Sequence, residues 1–549
     1  MKRTLDVLVV GGGIAGMSFA TQLADLMGDR PLRIRLLRKT PAQVSCSYAA
    51  QGGVAAALHG ADSVERHVAD TLMVGAGRND RAVVELVVRD GPALVDGLLG
   101  LGARFDADAG GRLHLAREGG HSVARVVHHQ DSTGAELVRV LGERMANTSS
   151  IALLDGWRAV DLLLSKETAV PRCLGLRALH LGTRTLFDLH ADVVVLATGG
   201  AGQVYAHTTN PAGATGDGIA MALRARAAVR DMAFVQFHPT ALYTGGLGQA
   251  FLVSEAVRGA GARLLEYDGS PLMDGKHPMG DLAPRNVVAR AIHRAIQRSG
   301  QAHVWLDVSP IGMARFAKEF PAIDRRCDEL GIVPGRDLVP VAPAAHYLCG
   351  GIATDDHGRT GMPGLLAVGE CAGSGLHGAD RLASNSLLEA LVVPRRAAAT
   401  LAAISGPVKE VKDPESLRQH VASRAPEPIH RALQDLRHAM STHVGIVRCH
   451  DGLRVALRVI AQCERVIAPM RSRRRWSQEL FDLRDLVCVA RAITEAALAE
   501  PESVGTHYLV RGRSRGASAY LPETRPGPAP TFSVPGTDRS LPADRPQHE

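Results

Sequence analysis

At 549 residues, the chain is too long for one hydrophobic core, and roughly two to four domains are expected. Its 46% hydrophobic and 22% charged content is that of an ordinary soluble globular protein, and no apolar run approaches the roughly 18–20 residues a membrane helix needs. The net charge of +7 is spread along the chain, and the one dense basic run, RSRRRW at 471–476, reads as a solvated helix face or turn rather than a nucleic-acid site.

The start, MKRTLDVLVVGGG, has the basic pair of a secretory signal. Asp6 interrupts the short apolar stretch, however, and no cleavage-type segment follows. LDVLVV (5–10) reads instead as a buried strand, MSFATQLADLM as a helix and LRIRLL (32–37) as a second strand. Between the first two, GGGIAG (11–16) sets Gly11, Gly13 and Gly16 in a G-x-G-x-x-G turn. Such glycines permit a tight turn and let amides at the helix N-terminus approach a pyrophosphate. In this strand–helix setting the pattern points strongly to a dinucleotide. The acid expected after the second strand is replaced by Arg38 and Lys39. That weakens a plain NAD reading and leaves a dinucleotide whose phosphates or ribose meet a basic group.

Strand–glycine stretches recur at 191–202 and 364–390, the latter with Glu370 after its strand and a helix starting near Ser384. Together they imply one nucleotide domain interrupted by an insertion from about Phe237 to Val341. In the insertion, VWLDVS (304–309) reads as a strand and MARFAKEFPAIDRRCDELGI as a helix. From about 410 the pattern is helical, and beyond about 520 the Pro-rich polar sequence predicts a disordered tail. No internal repeat is visible. The eight cysteines are scattered without a C-x-x-C, which argues against a zinc, iron–sulphur or disulfide framework and for a reducing, cytoplasmic setting.

Polar clusters surround the insertion: QFHPTALY (236–243), SEAVRGAGARLL (254–265), LAPRNVVARAI (282–292), APAAHYLCGG (342–351) and HGADRLASNS (377–386). They offer His238, Thr240, Glu255, Arg258, Arg285, His346 and Arg381. Arginine clamps a carboxylate through two parallel hydrogen bonds, so the set suits a small dianionic substrate. In Glu255-x-x-Arg258, helical spacing puts both side chains on one face. Singly, each residue is more often structural; their co-occurrence in a nucleotide fold carries the inference. AREGGHS (116–122) sets Glu118 beside two glycines. Locally this reads as a solvated turn, although bare backbone also admits a close approach.

SCSYAAQGGVAAAL, HHQDSTG, LATGGAGQVY, TTNPAGATGDGIAMA, QFHPTAL, EAVRGAGARLL, LAPRNVVARAI and HGADRLASNSLLEA together resemble the succinate dehydrogenase/fumarate reductase flavoprotein family. They keep the family's order across residues 5 to about 395. The resemblance implies an α/β fold with a Rossmann-like FAD-binding domain (1–236 and 342–405), interrupted by an α+β capping domain (237–341). A C-terminal helical domain (410–520) follows, then the tail (521–549). It implies FAD held by Gly11, Gly12, Gly13, Ile14, Ala15 and Gly16, by Lys39, and by Cys46, Ser47, Tyr48, Ala49, Ala50, Gln51, Gly52 and Gly53. Val160, Asp217, Glu370, Ser386 and Leu387 complete the implied cofactor set, Glu370 on the flavin nucleotide's ribitol or ribose. Lys39 matches a lysine the family often has in place of the ribose-binding acid. Members with covalent flavin carry a histidine where this chain has Cys46, so non-covalent FAD is expected.

REGGHS, PAAHYLCGG and DDHGRTGMPGLLAVGE are most similar to the aspartate-oxidising branch. That implies FAD-dependent oxidation of L-aspartate to iminoaspartate, the first step of NAD (quinolinate) biosynthesis. Oxygen or fumarate would be the electron acceptor, with a functional link to quinolinate synthase. His238, His346 and Arg381 become carboxylate binders with Thr240, Ser254 and Arg258 nearby, and Arg285 the acid–base residue, supplied through Glu255 and Arg258. Glu118 becomes the partner of the substrate ammonium, because relatives acting on succinate or fumarate have an uncharged residue there. Two departures stand out: Asp380 replaces the branch's usual asparagine, and ESVGTHYLVRGRS lacks the frequent acidic–Tyr–Pro ending. Competing readings are a succinate dehydrogenase or fumarate reductase flavoprotein subunit, opposed by Glu118 and Cys46, and a non-catalytic nucleotide-binding scaffold that presents the basic run to RNA or protein, opposed by the polar clusters. No metal and no membrane partner are expected.

Overall fold

Side chains of the strand Leu5–Val10 alternate between two cores. Val7 and Val9 pack with the helices Ile14–Met27 and Asn385–Ala403 on one face. Leu8 and Val10 pack on the other face, toward an antiparallel sheet and the C-terminal helices. A strand covered on both faces belongs inside a parallel sheet. The computed structural model, which describes residues 4–165, 170–246, 248–403, 415–472 and 476–510, places it there. The five-stranded order is Leu365–Ala367, Val193–Leu196, Leu5–Val10, Leu32–Arg38, Ile151–Asp155, with every pair parallel. The three strand–glycine stretches read from the sequence thus lie side by side.

The inserted segment builds a separate core around Leu242, Val288, Ile292, Leu306 and Val341. Its central strand, Val339–Leu348, runs antiparallel to Val235–Leu242 and Val304–Asp307. The sequence-derived boundaries at 236/237 and 341/342 both fall within these paired strands, so a hydrogen-bonded ribbon makes both crossings. The expected helix over MARFAKEFPAIDRRCDELGI is two helices, Met313–Glu319 and Pro321–Asp328. Pro321 has no amide proton to continue the first and is favoured at the start of the second.

Beyond the nucleotide fold the chain is not purely helical. Glu415–His420 is a strand that pairs antiparallel with Thr185–His190, before the helices Glu427–His443, His450–Ser472 and Gln478–Ala499. Arg471 and Ser472 of the basic run end the second of these; residues 473–475 and the tail 521–549 lie outside the described residues. Among the described residues, no helix is long and apolar enough to cross a membrane. All eight cysteines are free thiols.

Candidate active site

The strands deliver their C-terminal ends to one edge. Gly11 follows Val10, Lys39 follows Arg38, Ala197 follows Leu196, and Glu370 lies three residues past Ala367. Ligands of open α/β sheets bind outside such ends, and two adjoining cavities of 130 and 510 Å³ open here. Gly13, Cys46 and Ser47 line both. A Cβ on Gly11 would lie 2.1 Å from the Ala197 carbonyl oxygen, and one on Gly16 2.0 Å from that of Gly11. Only bare backbone lets strand, helix and neighbouring loop close up this far. The Ile14 amide donates to Ser47 Oγ at 3.0 Å, tying the 46–53 segment to the first helical turn.

Gly11, Gly12, Lys39 and Asp217 line the smaller cavity. Lys39 Nζ donates to Asp217 Oδ2 at 2.8 Å and Thr215 Oγ1 at 2.9 Å. Burial opposes the Asp217 charge, but Lys39 and Arg158 hold its carboxyl well below the usual range. Arg38 turns away and donates twice to Asp155, at 2.6 and 2.5 Å. Ala15, the run Tyr48, Ala49, Ala50, Gln51, Gly52 and Gly53, and Glu370, Ser386 and Leu387 line the larger cavity. Glu370 Oε1 accepts from the Leu348 amide at 3.2 Å, and burial pushes its carboxyl up to about 7. A long cleft with a glycine-bare turn at a helix N-terminus and one lysine suits the dinucleotide FAD.

At the far end of the larger cavity the walls are charged. Glu255, first residue of the helix Glu255–Gly259, sits between two arginines: Arg258 Nη2 donates to its Oε1 and Arg285 Nε to its Oε2, both at 2.8 Å. Burial disfavours the Glu255 charge, yet Arg285 and Arg258 hold the carboxyl below its ordinary range. Gln236 Oε1 accepts from Arg285 Nη1 at 2.9 Å and Arg381 Nε at 3.3 Å. Arg381 also lies 4.5 Å over the Tyr347 ring, donates to Ser386 Oγ, and approaches His346 Nε2 at 3.2 Å. Burial, then the charge of Arg285, lowers Arg381 to about 10.

The histidines here are neutral, because burial and the arginines hold both well below 6.5. With Nε2 accepting from Arg381, His346 Nδ1–H donates to Thr209 Oγ1 at 2.7 Å. His238 Nδ1 accepts from the Thr240 amide at 3.3 Å, so Nε2 carries its proton. That Nε2 is buried without a partner among the described residues, and His238 lines the cavity. A buried orphan donor beside arginines is suited to an anion.

Glu118 is not a solvated turn residue: it is 2% exposed and lines the cavity. The two glycines explain themselves sterically. A Cβ on Gly119 would lie 2.2 Å from Glu255 Oε1, and Gly120, with φ +81°, donates its amide to the Leu282 carbonyl at 3.2 Å. Burial and the Glu255 charge raise the Glu118 carboxyl, while Arg285 and the Ser384 hydroxyl act the other way.

Five sequence-derived site residues are not on the cavity walls. The Ile14 side chain is buried in the core beneath the turn, and only its amide faces the 46–53 segment. Gly16 sits under the turn, packed on Gly11. Thr240 Oγ1 donates to the Val253 carbonyl at 2.9 Å, so the residue orients His238 from behind. Arg258 is buried behind Glu255 and donates to the Asp281 carbonyl. Val160 gives its carbonyl to Arg224 and Arg484, both at 2.8 Å. Its strand neighbour Ala159 lines the smaller cavity instead, as alternation along a strand requires. Sequence reasoning also missed Gln236, Ser384 and Tyr347. Gln236 had a signal, being two residues before His238 in the polar cluster 236–243.

The chain matches the FAD binding domain family over residues 6–387 and the fumarate reductase flavoprotein C-terminal family over 433–524. It is 42% identical over 544 residues to L-aspartate oxidase 1 of Ralstonia nicotianae, covering 97% of this chain and 99% of that one. The L-aspartate oxidase of Streptomyces coelicolor is 41% identical, over 92% and 88%. A variant of the quinol fumarate reductase FrdA of E. coli superposes with a TM-score of 0.82 at 29% identity, covering 92% of this chain and 91% of that one. By family match, near-full-length identity and site geometry, the chain belongs to the L-aspartate oxidases of the succinate dehydrogenase/fumarate reductase flavoprotein family.

Proposed function

We propose that the chain oxidises L-aspartate to iminoaspartate, the first step of NAD biosynthesis through quinolinate, with non-covalent FAD and with oxygen or fumarate as acceptor. The observation that carries the substrate is Glu118, a buried carboxylate without an ion-pair partner among the described residues. It lies in a cavity whose charged end also holds Arg285, Arg381, His238 and His346, and whose other carboxylate there, Glu255, is already paired with two arginines. A dicarboxylate without nitrogen needs only those cations and donors; aspartate adds an ammonium that needs an acid.

In this reading the glycine turn, Lys39 and the 46–53 segment hold the cofactor, with Glu370 on its ribitol or ribose. Bound FAD supplies the hydride acceptor. Arg381, steadied by His346 at its Nη2, holds one substrate carboxylate, and His238 Nε2–H donates to the other. His346, expected as a carboxylate binder, has its single N–H on Thr209 and acts through Arg381. Glu118 holds the ammonium. Oxidation of the amine to an imine releases a hydride equivalent and one proton, and Arg285 occupies the proton-transfer position. Its Nε and Nη1 are committed to Glu255 and Gln236, which leaves Nη2 for the substrate. Glu255, paired also with Arg258, balances the charge Arg285 gains or loses. A functional link to quinolinate synthase follows from the product, and the eight free thiols suit a reducing cytoplasm.

The test is anaerobic mixing of the FAD-loaded protein with L-aspartate, succinate and fumarate while the flavin absorbance is followed. L-Aspartate should bleach the flavin and fumarate should restore it. Bleaching by succinate but not by L-aspartate would move the chain to the succinate/fumarate enzymes.

A further inference from the structure

We propose that Asp380 is a positioning residue that holds Arg285 and Arg381 in register: one of its oxygens fixes the Gln236 amide between the two guanidiniums, and the other caps the helix that carries Arg285. The proposal rests on the aspartate reading above for its assay substrate.

Asp380 is fully buried and forms no ion pair among the described residues. Its Oδ1 accepts from Gln236 Nε2 at 2.6 Å, and its Oδ2 from the Asn286 amide at 3.3 Å. Asn286 is the second residue of the helix Arg285–Ser299, whose N-cap, Pro284, has no side chain able to cap it. A free first-turn amide costs stability unless something accepts from it. Asp380 does so from outside the inserted segment, and so anchors the catalytic helix to the nucleotide domain.

The other oxygen acts through Gln236, whose Nε2 also donates to the Arg381 carbonyl at 2.8 Å. With both amide hydrogens committed, its Oε1 must face the opposite way, where it accepts from Arg285 and Arg381 together. A flipped amide would set an NH₂ against two guanidiniums and an oxygen against a carboxylate. An ionised carboxylate only accepts, so Asp380 excludes that flip. Asparagine at 380 could accept at one site only and would turn an NH₂ toward the other donor.

The charged and titratable groups around Asp380 are Arg285 and Arg290 on the capped helix, Arg381 on its own loop and the Cys349 thiol after Val339–Leu348. Gln236, from Val235–Leu242, is uncharged. Burial raises the carboxyl to about 6, opposed by the hydrogen bonds from Gln236 and Asn286 and by the arginines. Protonation turns one acceptor into a donor and breaks the clamp, so activity should fall as the pH drops through this range.

The experiment compares holoenzyme of wild type, Asp380→Asn, Asp380→Leu, Gln236→Leu and the 236/380 double leucine variant, measuring kcat for L-aspartate from pH 5 to 9 together with FAD content. Asp380→Leu should lower kcat about 10- to 100-fold at pH 8 with FAD retained, and Asp380→Asn should fall between it and wild type. The double variant should lose far less than the product of the single losses, as residues acting through one another do. The acid limb of kcat should shift or vanish in Asp380→Asn. Should Asp380→Leu fail to take up FAD, Asp380→Asn takes its place in the cycle. Losses that multiply, wild-type kcat in Asp380→Leu, or coincident acid limbs in wild type and Asp380→Asn would overturn the proposal. No turnover of L-aspartate by wild type would refute the substrate reading instead. The cycle is then read from succinate-induced changes in flavin absorbance, with the same multiplying losses overturning it.

Discussion

Ser384 donates its hydroxyl proton to Glu118 Oε2, across a gap that joins two segments 266 residues apart in sequence. Ser384 holds a left-handed backbone, φ +62°, uncommon for a residue with a side chain. That turn aims the hydroxyl at the carboxylate just before the helix Asn385–Ala403 begins. Among the described residues this neutral hydroxyl is the side-chain donor to Glu118, and no cation is paired with the carboxylate.

Glu118→Gln should therefore change selectivity rather than overall competence. Removing one partner of a desolvated charge contact costs roughly 2–5 kcal/mol, which is about a 30-fold or greater fall in kcat/KM for L-aspartate. Fumarate and succinate carry no ammonium and should bind as well or better. Turnover of aspartate and reduction of fumarate by one preparation decide the matter. Equal losses on both substrates would show that Glu118 supports the fold or the flavin.

FAD should leave the protein on acid or heat denaturation. Cys46 lines both cavities, but desolvation, then the charge of Glu370, pushes its thiol up, so it stays protonated and a weak nucleophile. Flavin fluorescence that remains with the denatured polypeptide on a gel would show a covalent bond.

The nucleotide fold was legible because its signals are local. A β-rich run, a glycine turn and a helix occupy only residues 5–27, and the stretches at 191–202 and 364–390 repeat the apolar-run-to-glycine pattern. The break at Pro321 was written in the sequence and underweighted, while the strand Glu415–His420 carries no hydrophobic alternation and forms through its pairing with Thr185–His190. The charged side chains were legible as types but not as roles. Thr240 and Arg258 stand beside wall residues in sequence and behind them in space. Gln236 has no charge to attract attention, and its importance comes from bringing Arg285 and Arg381 to one oxygen, contacts 49 and 145 residues away in the chain.

Glu370 predicts a pH dependence for the FAD-free protein. Burial raises its carboxyl to about 7, against about 4.3 in an unfolded chain. A raised acid contributes stability that is fully present below the unfolded value and is lost as pH rises through the folded one. Glu370→Gln cannot ionise, and its amide oxygen can still accept from Leu348. The variant should match wild type near pH 4 and exceed it above pH 7, by on the order of 4 kcal/mol at 1.36 kcal/mol per pH unit. Chemical denaturation at pH 4, 6 and 8 measures the gap; a gap independent of pH would remove Glu370 as its source.

Gly119→Ala tests whether the bare backbone beside Glu118 exists for Glu255. Gly119 does not have the positive φ that would forbid a side chain, so alanine brings no backbone strain. Its Cβ would, however, stand 2.2 Å from Glu255 Oε1 and 2.9 Å from Cδ, well inside contact distance. Glu255 would have to retreat, and both of its 2.8 Å arginine contacts depend on its present position. Displacing the partner of a proton-transfer group by an ångström costs about 100-fold in rate, so kcat should fall by that order, with FAD content measured alongside and expected to be retained. Glu255 shortened by one methylene withdraws the carboxylate from the new methyl group. Glu255→Asp should therefore cost less in the Gly119→Ala background than in wild type, since part of the damage is already done and part is relieved. The four kcat values of this cycle carry the answer. Independent, multiplying losses would mean that Gly119 is bare for the chain turn alone and that the Glu255–Arg285 pair does not feel it.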